Sequence, residues 1–209
     1  KLLVVLFGFS TIFEILLLGS NSITPKIYTR AHFGLLEPFY AGIGGEILLK
    51  PPSLPIALGL DIHHVKKRGY DMWFDLHDYK TTVGHLSMYF DAGKRFEIEM
   101  NAGRYLAGDW GLTTKITRKF ATGWEVGGYA TLTEVPFEEF GEGSFDKGIF
   151  VIVPLDWIAG RPQKSRRSLV LRPITRDGGA HLASARSLYR QIKDSHNSQF
   201  FRERGRLWK

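Results

Sequence analysis

Four stretches of the chain alternate strictly between apolar and polar positions. Phe96, Ile98, Met100 and Ala102 interleave with Arg95, Glu97, Glu99 and Asn101, and Trp124, Val126, Gly128, Ala130 and Leu132 with Glu125, Gly127, Tyr129, Thr131 and Thr133. Ile56, Leu58, Leu60 and Ile62 do the same against Ala57, Gly59, Asp61 and His63, and Leu86, Met88 and Phe90 against His85, Ser87 and Tyr89. Side chains on a strand point to opposite faces with a period of two, whereas an amphipathic helix needs apolar residues three and four apart. The four stretches are predicted strands, each with one apolar and one polar face. Fainter versions of the signal predict strands over Ile27–Leu36, Gly45–Lys50, Leu112–Phe120, Gly148–Asp156 and Ser168–Arg172. Strands this closely spaced, with Gly, Asp and Pro between them, predict an all-β protein: an antiparallel meander of about nine or ten strands that curls on itself.

The apolar face of such a sheet has two available environments. In a soluble sandwich or barrel it meets a protein core; in an outer-membrane barrel it meets lipid, and the polar face lines the lumen. Several segments run for about ten residues, the length of a tilted membrane strand, against about five or six for a soluble one. Tyr105, Trp110, Trp124 and Trp157 stand at segment ends, where an interfacial aromatic girdle would place them. Both observations favour lipid, and both also occur in soluble sheets.

The two ends of the chain read differently from the middle, so three regions are expected: an apolar segment over 1–25, the β region over 26–179, and a basic helix and tail over 180–209. Leu2 to Leu18 is almost wholly apolar but holds Glu14, which is costly near the centre of a spanning helix. With no small-residue cleavage site after it, neither a signal peptide nor an anchor is expected. An apolar helix or a strand pair, followed by a turn at Gly19-Ser20-Asn21-Ser22, is the simpler reading. At the other end Leu182, Ala185, Leu188, Tyr189 and Ile192 recur at helical spacing, predicting an amphipathic helix from about Leu182 to Asp194 after Gly178-Gly179.

Charge sharpens this division. Residues 1–160 hold 15 Lys and Arg against 18 Asp and Glu, whereas residues 161–209 hold 13 against 3. The overall charge of +7 therefore comes from the C-terminal quarter. A nucleic-acid module would concentrate such charge on a folded reading element, so nucleic acid is not an expected partner. Anionic lipid, an acidic polymer or plain solvent are the expected surroundings of the basic tail. The chain has no Cys, which excludes disulfides, thiolate metal sites and a lipid-modified cysteine from these 209 residues.

Three loops are unusually specific: Gly103-Arg104-Tyr105-Leu106-Ala107-Gly108-Asp109-Trp110-Gly111, the run from Phe140 to Gly148, and Arg172-Pro173-Ile174-Thr175-Arg176-Asp177-Gly178-Gly179. With Leu36-Glu37-Pro38-Phe39-Tyr40-Ala41-Gly42-Ile43-Gly44-Gly45-Glu46-Ile47-Leu48 and Thr82-Val83-Gly84-His85-Leu86-Ser87-Met88-Tyr89-Phe90, they make five motifs in order. Together they resemble the C-terminal region of the YjbH family, exopolysaccharide biosynthesis proteins of the Gram-negative envelope, from near Tyr28 to about Leu182. The resemblance implies an outer-membrane-type β-barrel, or an open curled part of one, in the outer membrane of a Gram-negative bacterium. Implied partners are outer-membrane lipid, an exopolysaccharide and other polysaccharide secretion proteins. Family members are longer than this chain.

Candidate chemistry is sparse. Glu97 and Glu99 share a strand face near Lys115, but paired carboxylates hydrolyse glycosides only at a defined separation across a sugar cleft, and a lumen ladder balanced by basic neighbours is the plainer use. Glu138, Glu139, Glu142 and Asp146 lie in a Gly-rich loop without the spacing of a calcium-binding hand. His63 shares a face with Asp61, adjacent His64 points the other way, and His77 and His85 meet them only through tertiary folding, so no metal site is expected. No phosphate loop, dinucleotide fingerprint or Ser-His-Asp order appears, and no cofactor is expected. Arg104, Tyr105, Asp109, Trp110, Arg172, Arg176 and Asp177 remain as candidates for polysaccharide contact, since Arg-Asp pairs beside aromatics hold sugar hydroxyls and acidic groups; the same pairs also pin loops. The expectation is a non-enzymatic secretion component. Its rival is a periplasmic or surface β-rich enzyme acting on the polymer.

Overall fold

In the computed structural model the described residues are 2–9, 12–24, 26–69, 75–93, 95–136, 145–155, 166–172, 178–182 and 187–193. They form one antiparallel sheet of eleven strands in strict sequence order: β1 (Leu2–Phe9), β2 (Ile12–Thr24), β3 (Ile27–Glu37), β4 (Tyr40–Leu49), β5 (Ile56–Arg68), β6 (Leu76–Ala92), β7 (Phe96–Arg104), β8 (Trp110–Lys119), β9 (Glu125–Thr133), β10 (Asp146–Pro154) and β11 (Arg166–Leu171). Nine of the eleven run nine residues or more; β1 with eight and β11 with six are the short ones. Among the described residues β1 and β11 do not pair with each other, so the sheet is open and curled.

The predicted meander is therefore the observed one, with one strand more than the upper expectation. The extra strands lie in the N-terminal segment, where β1 and β2 form a hairpin in register from Leu2↔Gly19 to Phe9↔Ile12. The expected turn at Gly19–Ser22 is absent. Those residues continue β2 and pair with Ala31, Arg30, Thr29 and Tyr28 of β3, because a ladder of backbone hydrogen bonds outweighs a local preference for turns. The chain instead reverses just after Thr24, whose hydroxyl accepts from the Lys26 and Ile27 amides at 3.3 and 3.2 Å.

Period-two alternation sorts the side chains from β3 onward into two populations. One face carries rows of apolar residues in register across the strands. Ile47, Leu60, Leu86, Ala102, Leu112 and Leu132 form one such row over six strands. Ile56, Phe90, Ile98, Ile116, Gly128, Ile149 and Leu171 form another over seven. Neither row holds a charge. Both are open to the surroundings, with Leu60 54 % and Leu86 60 % exposed. At one rim the Arg118 guanidinium lies 5.8 Å from the Phe96 ring and 5.0 Å from the Phe120 ring. No helix among the described residues is long and apolar enough to cross a membrane, which says nothing about crossing by strands.

The opposite, inner face is polar and covered. Arg30, Glu46, His63, His85, Ser87, Glu97, Asn101, Thr117, Glu125 and Thr131 are all buried there. Close packing needs a glycine at Gly44, which stands opposite both His32 and His63: a Cβ at this position would lie 2.1 Å from His63 Cδ2 and 2.9 Å from His32 Nε2. Gly44→Ala is expected to destabilise the protein by about 1–3 kcal/mol through overpacking. Denaturant unfolding measures this, and a change under about 0.5 kcal/mol would show that the two imidazoles yield freely.

What covers the inner face is the C-terminal segment. Gly178 and Gly179 adopt φ of 107° and 67°, a left-handed path closed to most side chains, and turn the chain inward. The predicted helix is present but shorter than expected among the described residues: α1 is Leu188–Ile192, and Leu182 is not helical. Ser187 caps it, accepting from the Arg190 amide at 3.4 Å. The described residues of this segment, 178–182 and 187–193, are docked and not a solvated appendage. Leu188 and Tyr189 pack with Leu48, Ala57 and Tyr89, while Leu182 packs with Val65, Val83 and Leu106. The two apolar clusters sit at different levels of the interior, with polar residues between them.

Candidate functional site

The interior holds an open-mouthed cavity of about 1270 Å³, bordered by residues of β3 to β10 and by the C-terminal segment. Its chemistry follows from the inward register. Asp61 on β5 and His85 on β6 stand opposite each other, with Asp61 also opposite Glu46 of β4. The Asp61 Oδ2 atom lies 3.2 Å from His63 Nδ1 and 3.5 Å from His85 Nδ1. His181 comes from the C-terminal segment and stacks on His85, with ring centroids 4.0 Å apart. Its Nδ1 is 3.0 Å from the Leu182 carbonyl oxygen. His181 keeps an exposed edge, and desolvation by the surrounding protein, then the neighbouring His85, holds its imidazole below the ordinary pKa. His32 lies 4.9 Å from His63, centroid to centroid, and completes a layer of four imidazoles around one carboxylate.

A second polar group holds α1. Glu46 lies 2.9 Å from Arg30 Nη2, and both its oxygens accept from the Leu188 amide, at 2.9 and 3.0 Å. Tyr189 stacks on Tyr89 at 3.6 Å and 9°, and its hydroxyl donates to Glu97 at 3.2 Å. Burial, and then the Glu97 carboxylate, push the Tyr189 hydroxyl far up from its ordinary pKa, so it stays a neutral donor. Glu97 also meets Lys119 at 2.5 Å and Lys193 at 3.9 Å. Glu99 meets Lys115 at 3.7 Å and accepts from Asn101 at 3.1 Å. The two carboxylates are thus engaged by different cations on one wall.

The structure separates the five described residues among the seven expected to contact polysaccharide. Tyr105 and Asp109 are interior. Tyr105 is fully buried, with its hydroxyl 2.6 Å from Thr113 Oγ1, so it belongs to no aromatic girdle. Burial raises its pKa above the ordinary tyrosine value. Asp109 accepts from the Gly179 amide at 2.8 Å and so clasps the C-terminal segment. Arg104 and Trp110 pair across β7 and β8 at an outward position of the register, away from the polar inner face. Trp110 is 56 % exposed there, and Arg104 donates to the Gly108 carbonyl at 3.1 Å. Arg172 lies beside Tyr129 and Asp146, where its charge acts on both. Arg176 and Asp177 lie outside the described residues, as do Glu138, Glu139, Glu142 and Trp157. His64 points outward to Thr82 Oγ1 at 2.9 Å, as its alternation requires. The imidazole layer and the Glu46 anchor are absent from the sequence reading, although alternation alone places Asp61, His63 and His85 on one face.

These features define a class: an open, curled antiparallel sheet with an uncovered apolar outer face and a polar interior partly filled by its own C-terminal segment. The chain belongs to the YjbH family, whose description is exopolysaccharide biosynthesis protein YbjH, with residues 10–194 matched. It is 40 % identical over 172 residues to the uncharacterized lipoprotein YjbH of Escherichia coli (strain K12), a match that covers 80 % of this chain and 25 % of that protein. The chain thus spans about a quarter of the length of the curated relative it matches. No solved structure matches.

Proposed function

We propose that this chain is a non-enzymatic part of an outer-membrane β-barrel that takes part in exopolysaccharide biosynthesis and secretion. The observation that carries this reading is the pair of uncharged apolar rows open across the outer face, each spanning six or seven strands. A contiguous apolar surface of this extent far exceeds what soluble monomers expose, and lipid is the medium in which it costs nothing. The strand lengths agree, since about nine to eleven tilted residues cross a bilayer. Inside, Lys115, Glu99, Tyr129, Asp146 and Arg172 offer the cavity charged and aromatic contacts of the kind that hold hydroxyl-rich or acidic sugars. Glu97 and Glu99, the carboxylates of the rival hydrolase reading, are each engaged by lysines, which supports a structural role for both.

Membrane fractionation tests the reading. The protein is expected in the outer-membrane fraction, with a gel mobility that shifts on heating, and its loss is expected to lower polymer export without changing polymer cleavage. A soluble protein that shortens the polymer would overturn it.

A further inference from the structure

We propose that Asp61, His85 and His181 bind a divalent first-row transition-metal ion, zinc by the nature of the ligands, and that the ion ties the C-terminal segment to the wall of the sheet. Each of the three residues offers one ligand atom, and these atoms lie within 4.8 Å of one another. Imidazole nitrogen and carboxylate oxygen are a ligand set zinc accepts, with bonds of about 2.0–2.2 Å and three protein ligands plus one open position. The donors must close by about an ångström to reach those lengths, and the stacked His85 and His181 rings must turn so that their in-plane lone pairs converge, both by side-chain rotation.

Three further observations point at a ligand. His63 and His85 are 4 % and 1 % exposed, and neither ring nitrogen of either has a hydrogen-bond partner among the described residues, although both Nδ1 atoms face the Asp61 carboxylate. Buried polar atoms are almost always paired, and one without a partner calls for an ion or a water. His181 is oriented as metal-bound imidazoles usually are: with its proton on Nδ1 it donates to the Leu182 carbonyl, leaving the Nε2 lone pair free and fixing the ring. Finally, the layer lies between two apolar levels. On β5 and β6 the polar inward residues lie between Ala57 and Tyr89 of one apolar cluster and Val65 and Val83 of the other. Low polarity above and below strengthens charge-dipole attraction to a cation, and the cavity gives the ion a path in. His63, 3.2 Å from the same carboxylate oxygen, stands ready as a fourth ligand.

The site rests on side chains of two strands and the C-terminal segment. It stands whether the outer face meets lipid or protein, so its failure leaves the membrane reading intact.

The test uses the full chain, freed of metal by chelation and titrated with Zn²⁺ by calorimetry, with Co²⁺ as a spectroscopic probe of coordination. One equivalent is expected to bind, Co²⁺ to give the absorption of a low-coordinate nitrogen-oxygen site, and Zn²⁺ to raise the unfolding midpoint through linkage. His85→Ala and His181→Ala are each expected to abolish the one-equivalent step, and His77→Ala to preserve it. If His85→Ala fails to fold, His181→Ala decides, because His181 lies in no strand. Absence of stoichiometric binding to the native chain, or binding that survives His181→Ala, overturns the proposal.

Discussion

Leu60→Arg is expected to destabilise the protein by about 2–4 kcal/mol when it is folded in lipid vesicles, the cost of a lipid-facing arginine at the bilayer midplane. Leu60 is already 54 % exposed, with Ile47 and Leu86 beside it in the ladder, so the substitution creates no cavity and no overpacking. In water such a change at an exposed strand position stays within about 0.5 kcal/mol. The two media therefore predict results several-fold apart from one residue. Urea unfolding in vesicles measures the cost, and Leu60→Gln is expected to fall between wild type and Leu60→Arg. A value for Leu60→Arg below about 0.5 kcal/mol would mean that the outer face meets water.

Alternation made most of this sheet legible, and its limits explain what was not. Where one face is apolar and the other polar, as in Phe96–Arg104, period two names the strand and assigns each residue a side. The segment from Leu2 to Leu18 gives no such reading, because nearly every position is apolar and the period vanishes, leaving helix and strand pair equally open. Gly19–Ser22 carries turn residues but lies opposite β3, and pairing decides. The same rule, applied to Arg104 and Trp110, already places them on the side away from Tyr105's partner Thr113; treating the loop as one motif hid that difference. The imidazole layer was half visible. Asp61, His63 and His85 sit at inward positions of two strands, but their level depends on hairpin register, and His181 reaches them only because the C-terminal segment folds back inside. A basic, helix-like tail at the end of a chain reads as solvated, and nothing local shows that Lys193 has a carboxylate waiting 96 positions upstream at Glu97.

That docking has one dominant anchor, and Glu46→Ala is expected to release it. The carboxylate serves two partners at once: the Arg30 guanidinium at 2.9 Å and the Leu188 amide, which opens α1. Arg30, Glu46 and Leu188 are all less than a tenth exposed. Removing one member of a buried ion pair costs about 3–5 kcal/mol, because the charge left behind has lost its water and its partner. Here the lower end is expected, since Arg30 makes other contacts as well. The Leu188 amide adds a buried donor without an acceptor, worth about 1–3 kcal/mol on its own and overlapping with the first loss. Glu46→Gln separates the two effects: it keeps an acceptor for the amide and removes the charge facing Arg30. Hydrogen exchange at the amides of Leu188–Ile192 reports docking, and urea unfolding reports global stability. Glu46→Ala should lower both, whereas Glu46→Gln should lower stability and retain most of the protection. Unchanged exchange in Glu46→Ala would mean that the Tyr89–Tyr189 stack and the Glu97 contacts hold the segment without it.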